Sequence, residues 1–249
     1  MQKSLAQRIL DSEKSFTLFH THDASEKSIK QAISENKSMD LDIAIDENRK
    51  PYIGHSKEYY RISGKRQPDC MDFDKAVDLI VSARIPVIVD CKQPEAWPVV
   101  KEVLTKVGVH RCLAHTFATE FKFDYNLEYD HDYPSEWSPI VSLKSLKEKF
   151  PSVTTTASCK FLPADLLTSN KYAGELEKVR NVLSENNVDT ICLNVPDKTM
   201  TDRILEFFLD KNIIPHVNID GIDITKLTKV YVGETNVLEN ASDYALLND

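Results

Sequence analysis

The sequence predicts a single-domain α/β protein with the (β/α)8 architecture of a TIM barrel. Three observations favour this architecture: the chain has 249 residues, short apolar segments alternate with amphipathic ones, and the apolar segments number eight. A barrel of this kind typically needs about 250 residues, so one barrel would use the whole of 1–249. An open, doubly wound sheet is the alternative that the same alternation allows.

Each predicted strand is a short apolar segment that a helix or a long crossover joins to the next. Parallel strands need such connections, whereas antiparallel strands can be joined by tight hairpins, so the alternation predicts a parallel sheet. The predicted strands span 16–20, 38–45, 86–92, 111–117, 152–158, 189–195, 213–219 and 229–235.

The predicted helices carry apolar residues three and four positions apart, which places them on one helix face. We expect an N-terminal helix within 1–14, a helix that opens with a capping box at Asp23 and Glu26, and a helix that ends at Gly108. The acidic and aromatic segment 118–138 lacks clear periodicity and is a candidate lid or substrate loop, or else a packed surface loop. On the predicted helices after the N-terminal one, the rows of apolar residues that form one face begin at Ile29, Phe73, Val100, Leu143, Leu176 and Ile204.

Composition excludes several classes of protein. The formal net charge of −8 disfavours a nucleic-acid partner or an anionic membrane surface, and with only 6 glycines the chain holds no Gly-rich phosphate loop. The sequence shows no apolar run of membrane-spanning length and no signal peptide, so we expect a cytoplasmic protein. The 5 cysteines are widely spaced, which predicts reduced, buried thiols rather than a catalytic cysteine or a zinc site.

Charged side chains interrupt predicted strands that should be apolar, because parallel strands are buried on both faces. Asp40 and Asp42 occupy alternate positions of the second predicted strand and therefore point to the same side. Asp90 and Lys92 repeat this pattern in the third predicted strand, and His20 ends the first. These positions lie at the C-terminal ends of the strands, where barrel enzymes have their active sites.

Three carboxylates at one barrel mouth require positive charge nearby, because burying an isolated charge costs several kcal/mol. Lys92 supplies one positive charge, and a divalent cation would supply the two that are still needed to balance Asp40, Asp42 and Asp90. Oxygen ligands prefer hard cations, so the residues predict Mg²⁺ or Ca²⁺, with Mn²⁺ as a further option.

The segments FHTHDASEKSIKQAISENKSMDLDIAIDENRKPYIGHS and VIVDCK resemble the glycerophosphodiester phosphodiesterase-like (PLC-like phosphodiesterase) superfamily of barrel enzymes. The short first loop and the D-x-K ending are most similar to its sphingomyelinase D/phospholipase D and menorin-type branches. In that superfamily a strand-end histidine precedes an acid-x-Asp pair, a second histidine follows a hairpin, and a third strand ends in acid-x-Lys. The matching residues here are His20, Asp40, Asp42, His55, Asp90 and Lys92.

The resemblance implies a metal-dependent phosphodiesterase that acts on a small or lipid-derived phosphodiester, of the glycerophosphodiester or lysophospholipid type. It assigns the metal to the three carboxylates, a phosphate contact to Lys92, and acid–base or nucleophilic roles to His20 and His55. Attack by a neighbouring substrate hydroxyl, which gives a cyclic phosphate, and attack by water both stay open. The sequence predicts no particular oligomeric state.

Two other functions are compatible with the sequence. The pair His20 and His22 is typical of H-x-H metal hydrolases of the amidohydrolase and polymerase-histidinol-phosphatase type, although the later strands lack the further ligands that those enzymes need. A barrel whose site has degenerated would instead act as a binding module. The basic segment 57–66 could contact an anionic head group, but such a run is also typical of a solvated loop. Weaker pocket candidates are His115, Asn194, His216 and Asn218.

Overall fold

A computed structural model describes residues 2–21, 25–54, 71–92, 94–117, 141–159, 162, 167, 169–193 and 201–243. In these residues, nine strands and seven α-helices alternate along the chain. The strands are β1 (Phe16–His20), β2 (Met39–Ile45), β3 (Pro51–Ile53), β4 (Val87–Cys91), β5 (Cys112–Phe117), β6 (Thr154–Ser158), β7 (Thr190–Leu193), β8 (Ile214–Asn218) and β9 (Val232–Thr235). The helices are α1 (Leu5–Ser12), α2 (Glu26–Ser34), α3 (Phe73–Ala83), α4 (Trp97–Val107), α5 (Val141–Lys149), α6 (Ala173–Glu185) and α7 (Asp202–Leu209).

Eight parallel strands close into a barrel. They pair in the order β1, β2, β4, β5, β6, β7, β8 and β9, and β9 pairs again with β1 to close the seam. The described helices between consecutive parallel strands pack on the outside of the sheet, as crossover connections in parallel sheets do. This architecture confirms the predicted (β/α)8 barrel, and each of the eight predicted strands contains one strand of the barrel.

The ninth strand, β3, pairs antiparallel with β2 in a hairpin, and it is not among the eight predicted strands. The hairpin places Ile53 opposite Ile43. Asp46 shapes its turn, because the Asp46 carboxylate accepts hydrogen bonds from the backbone N–H groups of Asn48 and Lys50, both at 2.8 Å. His55 follows this hairpin and lies outside the described residues.

The helices cover the outer face of the barrel, where the alternation of each strand directs its apolar residues. Leu41 and Ile43 of β2, for example, belong to the same buried cluster as Ile29 of α2 and Val100 of α4. This leaves the intervening side chains of β2, including Asp40, to point into the barrel.

Two predicted helix boundaries can be compared with the structure. Helix α4 ends at Gly108, as predicted, with a φ angle of 101° that favours glycine. The capping box predicted at Asp23 and Glu26 is wrong, because Ser25 caps α2 and accepts a hydrogen bond from the backbone N–H of Ser28 at 3.2 Å.

The lower, N-terminal half of the barrel interior is apolar, and α1 closes it. Leu5 and Ile9 of α1 are fully buried in one cluster with inward-facing residues of five strands. Burial of each such side chain contributes about 1.5–3 kcal/mol. The backbone N–H of Ala6 also donates to Oγ1 of Thr154 on β6 at 2.8 Å, which fixes the helix against the barrel. The predicted N-terminal helix therefore seals the bottom of the barrel.

Further predictions concern a membrane-spanning segment, the cellular location, the cysteines and the candidate lid. Among the described residues, no helix combines the length and the apolar character needed to cross a bilayer. The four described cysteines are buried thiols: Cys91, Cys112, Cys159 and Cys192. The cytoplasmic location stays a prediction, and the candidate lid at 118–138 lies outside the described residues.

Candidate functional site

A layer of polar side chains lies directly above the apolar layer of the barrel interior. On five strands, an inward-facing apolar residue is followed two positions later by a charged residue or a histidine, which points the same way. The pairs are Leu18 and His20, Ile88 and Asp90, Leu113 and His115, Ile214 and His216, and Val232 and Glu234. The change from apolar to polar occurs toward the C-terminal ends of the strands.

His20 is surrounded by carboxylates from the strands on either side of it. Its Nδ1 atom lies 2.9 Å from Oδ2 of Asp40 and 2.9 Å from Oε1 of Glu234. Its Nε2 atom lies 3.8 Å from Oδ2 of Asp42. The side chains involved are all buried. Two carboxylates therefore hold the imidazole through Nδ1, and the orientation of the ring is fixed.

Lys92 joins the carboxylates of β2 and β4. Its Nζ atom lies 2.9 Å from Oδ1 of Asp42 and 2.5 Å from Oδ2 of Asp90. The register of the sheet explains this contact, because Asp42 and Asp90 are direct partners in adjacent parallel strands. Lys92 is buried, with 8% of the residue exposed, so its positive charge acts on the carboxylates with little screening by water.

The polar layer continues around the barrel through residues of the later strands. Nδ1 of His115 lies 2.8 Å from Oδ2 of Asp90, and His115 also interacts with Cys192. Cys192 in turn contacts His216, whose Nε2 lies 3.3 Å from Oε2 of Glu234. Because Glu234 contacts His20, these residues close a ring of polar contacts inside the barrel.

The pKa values of the ring residues follow from these contacts. Burial opposes protonation of His20, but the carboxylates of Asp40 and Glu234 outweigh it and raise the His20 pKa well above its ordinary value. Burial likewise opposes the charge on Lys92, yet Asp42 and Asp90 raise its pKa. The structure thus offsets the carboxylates partly with its own cationic groups.

The same competition sets the pKa values on the opposite side of the ring. Burial would raise the pKa of Asp90, but His115 and Lys92 lower it to about 2. Burial would lower the pKa of His115, but Asp90 raises it to about 10. For His216, contacts with Cys192 and Glu234 outweigh burial and raise the pKa to about 9.

The carboxylates also retain oxygens that a cation could use. Oδ1 of Asp40 and Oδ1 of Asp90 are buried, and neither accepts a hydrogen bond from the described part of the chain. A buried carboxylate oxygen without a donor is unfavourable unless a positive group reaches it. Ligand atoms of His20, Asp40 and Asp42 all lie within 4.8 Å of one another, whereas no such group among the described residues includes Asp90. The carboxylate oxygens are the donors that hard divalent cations such as Mg²⁺ or Ca²⁺ prefer.

The structure brings five of the six predicted site residues into this layer and leaves the sixth untested, because His55 lies outside the described residues. Of the weaker pocket candidates, His115 and His216 belong to the ring, whereas Asn218 is exposed. Asn194 and His22, the second histidine of the H-x-H pattern, are also outside the described residues, so the predictions on them stay predictions.

Sequence analysis missed Glu234 and Cys192. Glu234 could have been found by the rule that identified Asp40, because it is a charged residue in an otherwise apolar parallel strand. Cys192 gave no such signal, since a buried cysteine is ordinary in a strand.

Comparison with known proteins identifies similar folds but no sequence family. No protein-family model matches the chain, and no curated protein matches it significantly in sequence. Among solved structures, an assigned glycerophosphoryl diester phosphodiesterase from Silicibacter pomeroyi DSS-3 superimposes with a TM-score of 0.61 and 11% identity, covering 96% of this chain and 97% of that one. Another from Agrobacterium tumefaciens gives a TM-score of 0.59 and 9% identity, covering 91% and 95%.

A third similar structure, a glycerophosphoryl diester phosphodiesterase from Parabacteroides distasonis, gives a TM-score of 0.55 and 10% identity, covering 95% of this chain and 89% of that one. At such low identity the likeness establishes the fold. The fold and the polar layer thus define a TIM barrel with a buried, charged site at the C-terminal ends of its strands.

Proposed function

We propose that this protein is a metal-dependent phosphodiesterase that cleaves a small or lipid-derived phosphodiester. One observation carries the proposal: His20, three aspartates and Lys92 converge at the C-terminal end of a (β/α)8 barrel. Perturbed pKa values and specific charge partners in one buried cluster are typical of functional sites. A purely structural role would not require so many buried charges in one layer.

Asp40, Asp42 and Asp90 are the residues that would hold the divalent cation. When bound, the cation would supply Lewis-acid stabilisation of the charge that develops on a phosphate oxygen. The two buried Oδ1 atoms of Asp40 and Asp90 support this assignment, because each still lacks a donor in the described part of the chain. We propose Mg²⁺ or Ca²⁺ for this site, with Mn²⁺ as a further option.

His20 would exchange a proton with the substrate through Nε2. Its Nδ1 atom lies 2.9 Å from carboxylate oxygens of both Asp40 and Glu234, and these charges favour a proton on Nδ1. This arrangement corresponds to the positioned acid–base groups of known enzymes, which typically contribute about 10²–10⁴-fold to the rate. We assign the complementary acid–base or nucleophilic role to His55, as the sequence resemblance implies.

Lys92 would provide a second positive charge for the phosphate. Its ammonium lies between Asp42 and Asp90 and carries three N–H donors, so one of them would be available to an anionic ligand. The similar structures are glycerophosphoryl diester phosphodiesterases, which favours a glycerophosphodiester as substrate. The sequence motif instead resembles the sphingomyelinase D/phospholipase D or menorin-type branches. A lysophospholipid is therefore the second substrate to test.

The decisive experiment is a screen of glycerophosphodiesters, lysophospholipids and a chromogenic phosphodiester in the presence of Mg²⁺, Ca²⁺ or Mn²⁺. We expect turnover by the wild-type protein and a loss of at least about 10²-fold in both His20→Ala and His55→Ala. His110→Ala is the matched control, because His110 lies outside the barrel interior, in the turn before β5. Full activity in either of the first two variants would refute the assigned role.

A further inference from the structure

A second group of metal-binding side chains lies in the barrel, on the side opposite Lys92. Cys192, His216 and Glu234 come from the adjacent strands β7, β8 and β9. Each offers one ligand atom, and these atoms all lie within 4.8 Å of one another. Cys192 and His216 are direct partners in the sheet, so the register itself brings thiol and imidazole together.

We propose that Cys192, His216 and Glu234 bind a second metal ion, a borderline transition metal such as Zn²⁺ rather than Mg²⁺ or Ca²⁺. The donor set combines a thiolate, an imidazole and a carboxylate, which is the combination that zinc sites use. Magnesium and calcium prefer oxygen donors alone and would be disfavoured by the thiolate. The two sites therefore differ in the metal that they select.

The spacing of the donors fits a tetrahedral ion. Bonds of about 2.0–2.1 Å from nitrogen and oxygen to zinc place two tetrahedral ligands about 3.3 Å apart. Nε2 of His216 and Oε2 of Glu234 are separated by 3.3 Å, which is longer than most N–H···O hydrogen bonds. The two atoms are thus already spaced as neighbouring ligands of one ion.

His115 lies next to this group but does not belong to it. Its Nδ1 atom is 2.8 Å from Oδ2 of Asp90, and it also interacts with Cys192. Among the described residues around this thiol, only Cys192, His216 and Glu234 offer ligand atoms close enough together, so a water molecule or a ligand atom would take the fourth position. The rings of His115 and His216 lie 6.1 Å apart between centroids.

Glu234 is oriented in the same manner. Its Oε2 faces His216, while its Oε1 lies 2.9 Å from Nδ1 of His20. One carboxylate thus serves as a ligand on one side and as the partner of His20 on the other. The second site is therefore connected directly to the residue that we assign to acid–base chemistry.

The charges also favour a second ion. A thiolate at Cys192 and the carboxylate of Glu234 carry two negative charges, which one divalent ion balances when His216 binds as neutral imidazole. With an ion in each site, two divalent ions, Lys92 and the protonated His20 would face the four carboxylates and the thiolate of the layer. Compensation of these charges lowers the cost of burying them.

The test is titration of the wild-type protein with Co²⁺, a spectroscopic substitute for Zn²⁺, after treatment with a chelator and in excess Mg²⁺. The excess Mg²⁺ competes with Co²⁺ for the carboxylate site, and the thiolate band identifies the Co²⁺ that is bound at Cys192. We expect one equivalent of Co²⁺ to bind, with a thiolate-to-cobalt charge-transfer band in the near ultraviolet and the visible bands of a tetrahedral ion. This readout needs no turnover, so it is independent of the proposed phosphodiesterase activity.

Two variants complete the test. Cys192→Ser should lose the charge-transfer band, whereas Cys91→Ser should keep it, because Cys91 is a buried thiol on the outer face of β4. If Cys192→Ser fails to fold, His216→Gln should weaken Co²⁺ binding at least about tenfold. The absence of the band in folded wild-type protein, or an unchanged band in folded Cys192→Ser, would overturn the proposal.

Discussion

Oε1 of Glu234 lies 2.9 Å from Nδ1 of His20, across the seam where β9 meets β1 and the barrel closes. The two residues come from opposite ends of the described chain, yet each depends on the other. The carboxylate stabilises the imidazole charge, and the imidazole satisfies an oxygen that burial would otherwise leave without water. The pairing of β9 with β1 therefore closes the barrel and also brings His20 and Glu234 together.

Replacing Glu234 with Gln should reduce phosphodiester turnover by about 10–100-fold, the usual effect of losing a carboxylate that orients a functional histidine. The shape of the side chain is retained, so the main change is loss of the charge beside His20. Turnover per enzyme is the measurement, with Glu239→Gln as the control because Glu239 is exposed. Equal activity in the two variants would contradict the positioning role of Glu234.

Divalent-cation binding should depend on Asp40. We expect calorimetry to detect Mg²⁺ or Ca²⁺ binding to the wild-type protein and to detect at least about tenfold weaker binding to Asp40→Asn, because an amide oxygen carries no full charge. Asp74→Asn is the control, since Asp74 is exposed on α3. If Asp40→Asn bound the cation as tightly as wild type, Asp40 would not be a ligand.

Lys92→Met should make stability depend on the cation. Removing the ammonium leaves Asp42 and Asp90 without its charge, and breaking a buried ion pair typically costs about 3–5 kcal/mol. A bound cation would replace part of that charge, so Mg²⁺ should raise the Tm of Lys92→Met more than that of the wild-type protein.

Lys106→Met is the control for this experiment, because Lys106 forms only an exposed pair with Glu102 on α4. Its Tm should respond to Mg²⁺ as the wild-type Tm does. An equal response in Lys92→Met would argue against a cation near Asp42 and Asp90.

Asp202 should add a small, pH-dependent term to the free energy of unfolding. Its carboxylate accepts hydrogen bonds from the backbone and side chain of Thr228, and these bonds lower the Asp202 pKa. The pKa of an aspartate in the unfolded chain is about 3.9. Because the folded-state pKa is lower, Asp202 stabilises the fold fully above that pH, and this stabilisation is lost as the pH falls through the folded-state pKa.

Urea denaturation of Asp202→Asn and wild type should therefore differ by about 1 kcal/mol or less at pH 6, because the carboxylate is largely exposed. The difference should shrink as the pH falls below about 4. A difference that stays constant with pH would exclude an origin in the carboxylate charge.

Ile9→Ala should test the seal at the bottom of the barrel. Ile9 is fully buried against the apolar layer, so its truncation should cost about 2–5 kcal/mol in the free energy of unfolding. Gln7→Ala on the exposed face of α1 should cost less than about 0.5 kcal/mol. Cation affinity should be unchanged in both, because α1 lies at the end of the barrel opposite the carboxylates.

The fold could be predicted because strand alternation is a local signal. Leu41 and Ile43 point outward and Asp40 and Asp42 inward, and this period of two is visible in the sequence. The hairpin strand β3 was missed because it has only three residues, Pro51–Ile53, too few to show a period. The cap of α2 was placed at Asp23 instead of Ser25, since both residues are good N-caps and sequence alone does not choose between them.

The site could be predicted only in part, because its two halves differ in how their residues are spaced. Asp40, Asp42, Asp90 and Lys92 occur as pairs two residues apart, so each pair already defines one inward face. His216 and Glu234 occur singly on separate strands, and their contact arises from barrel closure. That contact depends on the register between strands, which the sequence does not reveal directly.

The sealed lower end of the barrel has a kinetic consequence. Since α1 and the apolar layer occupy that end, a ligand of the polar layer would have to arrive and depart by the same route. Product and incoming substrate would then exclude one another, and product inhibition should be competitive. Turnover at high product concentration would be limited by how quickly the phosphate-bearing product clears that shared passage.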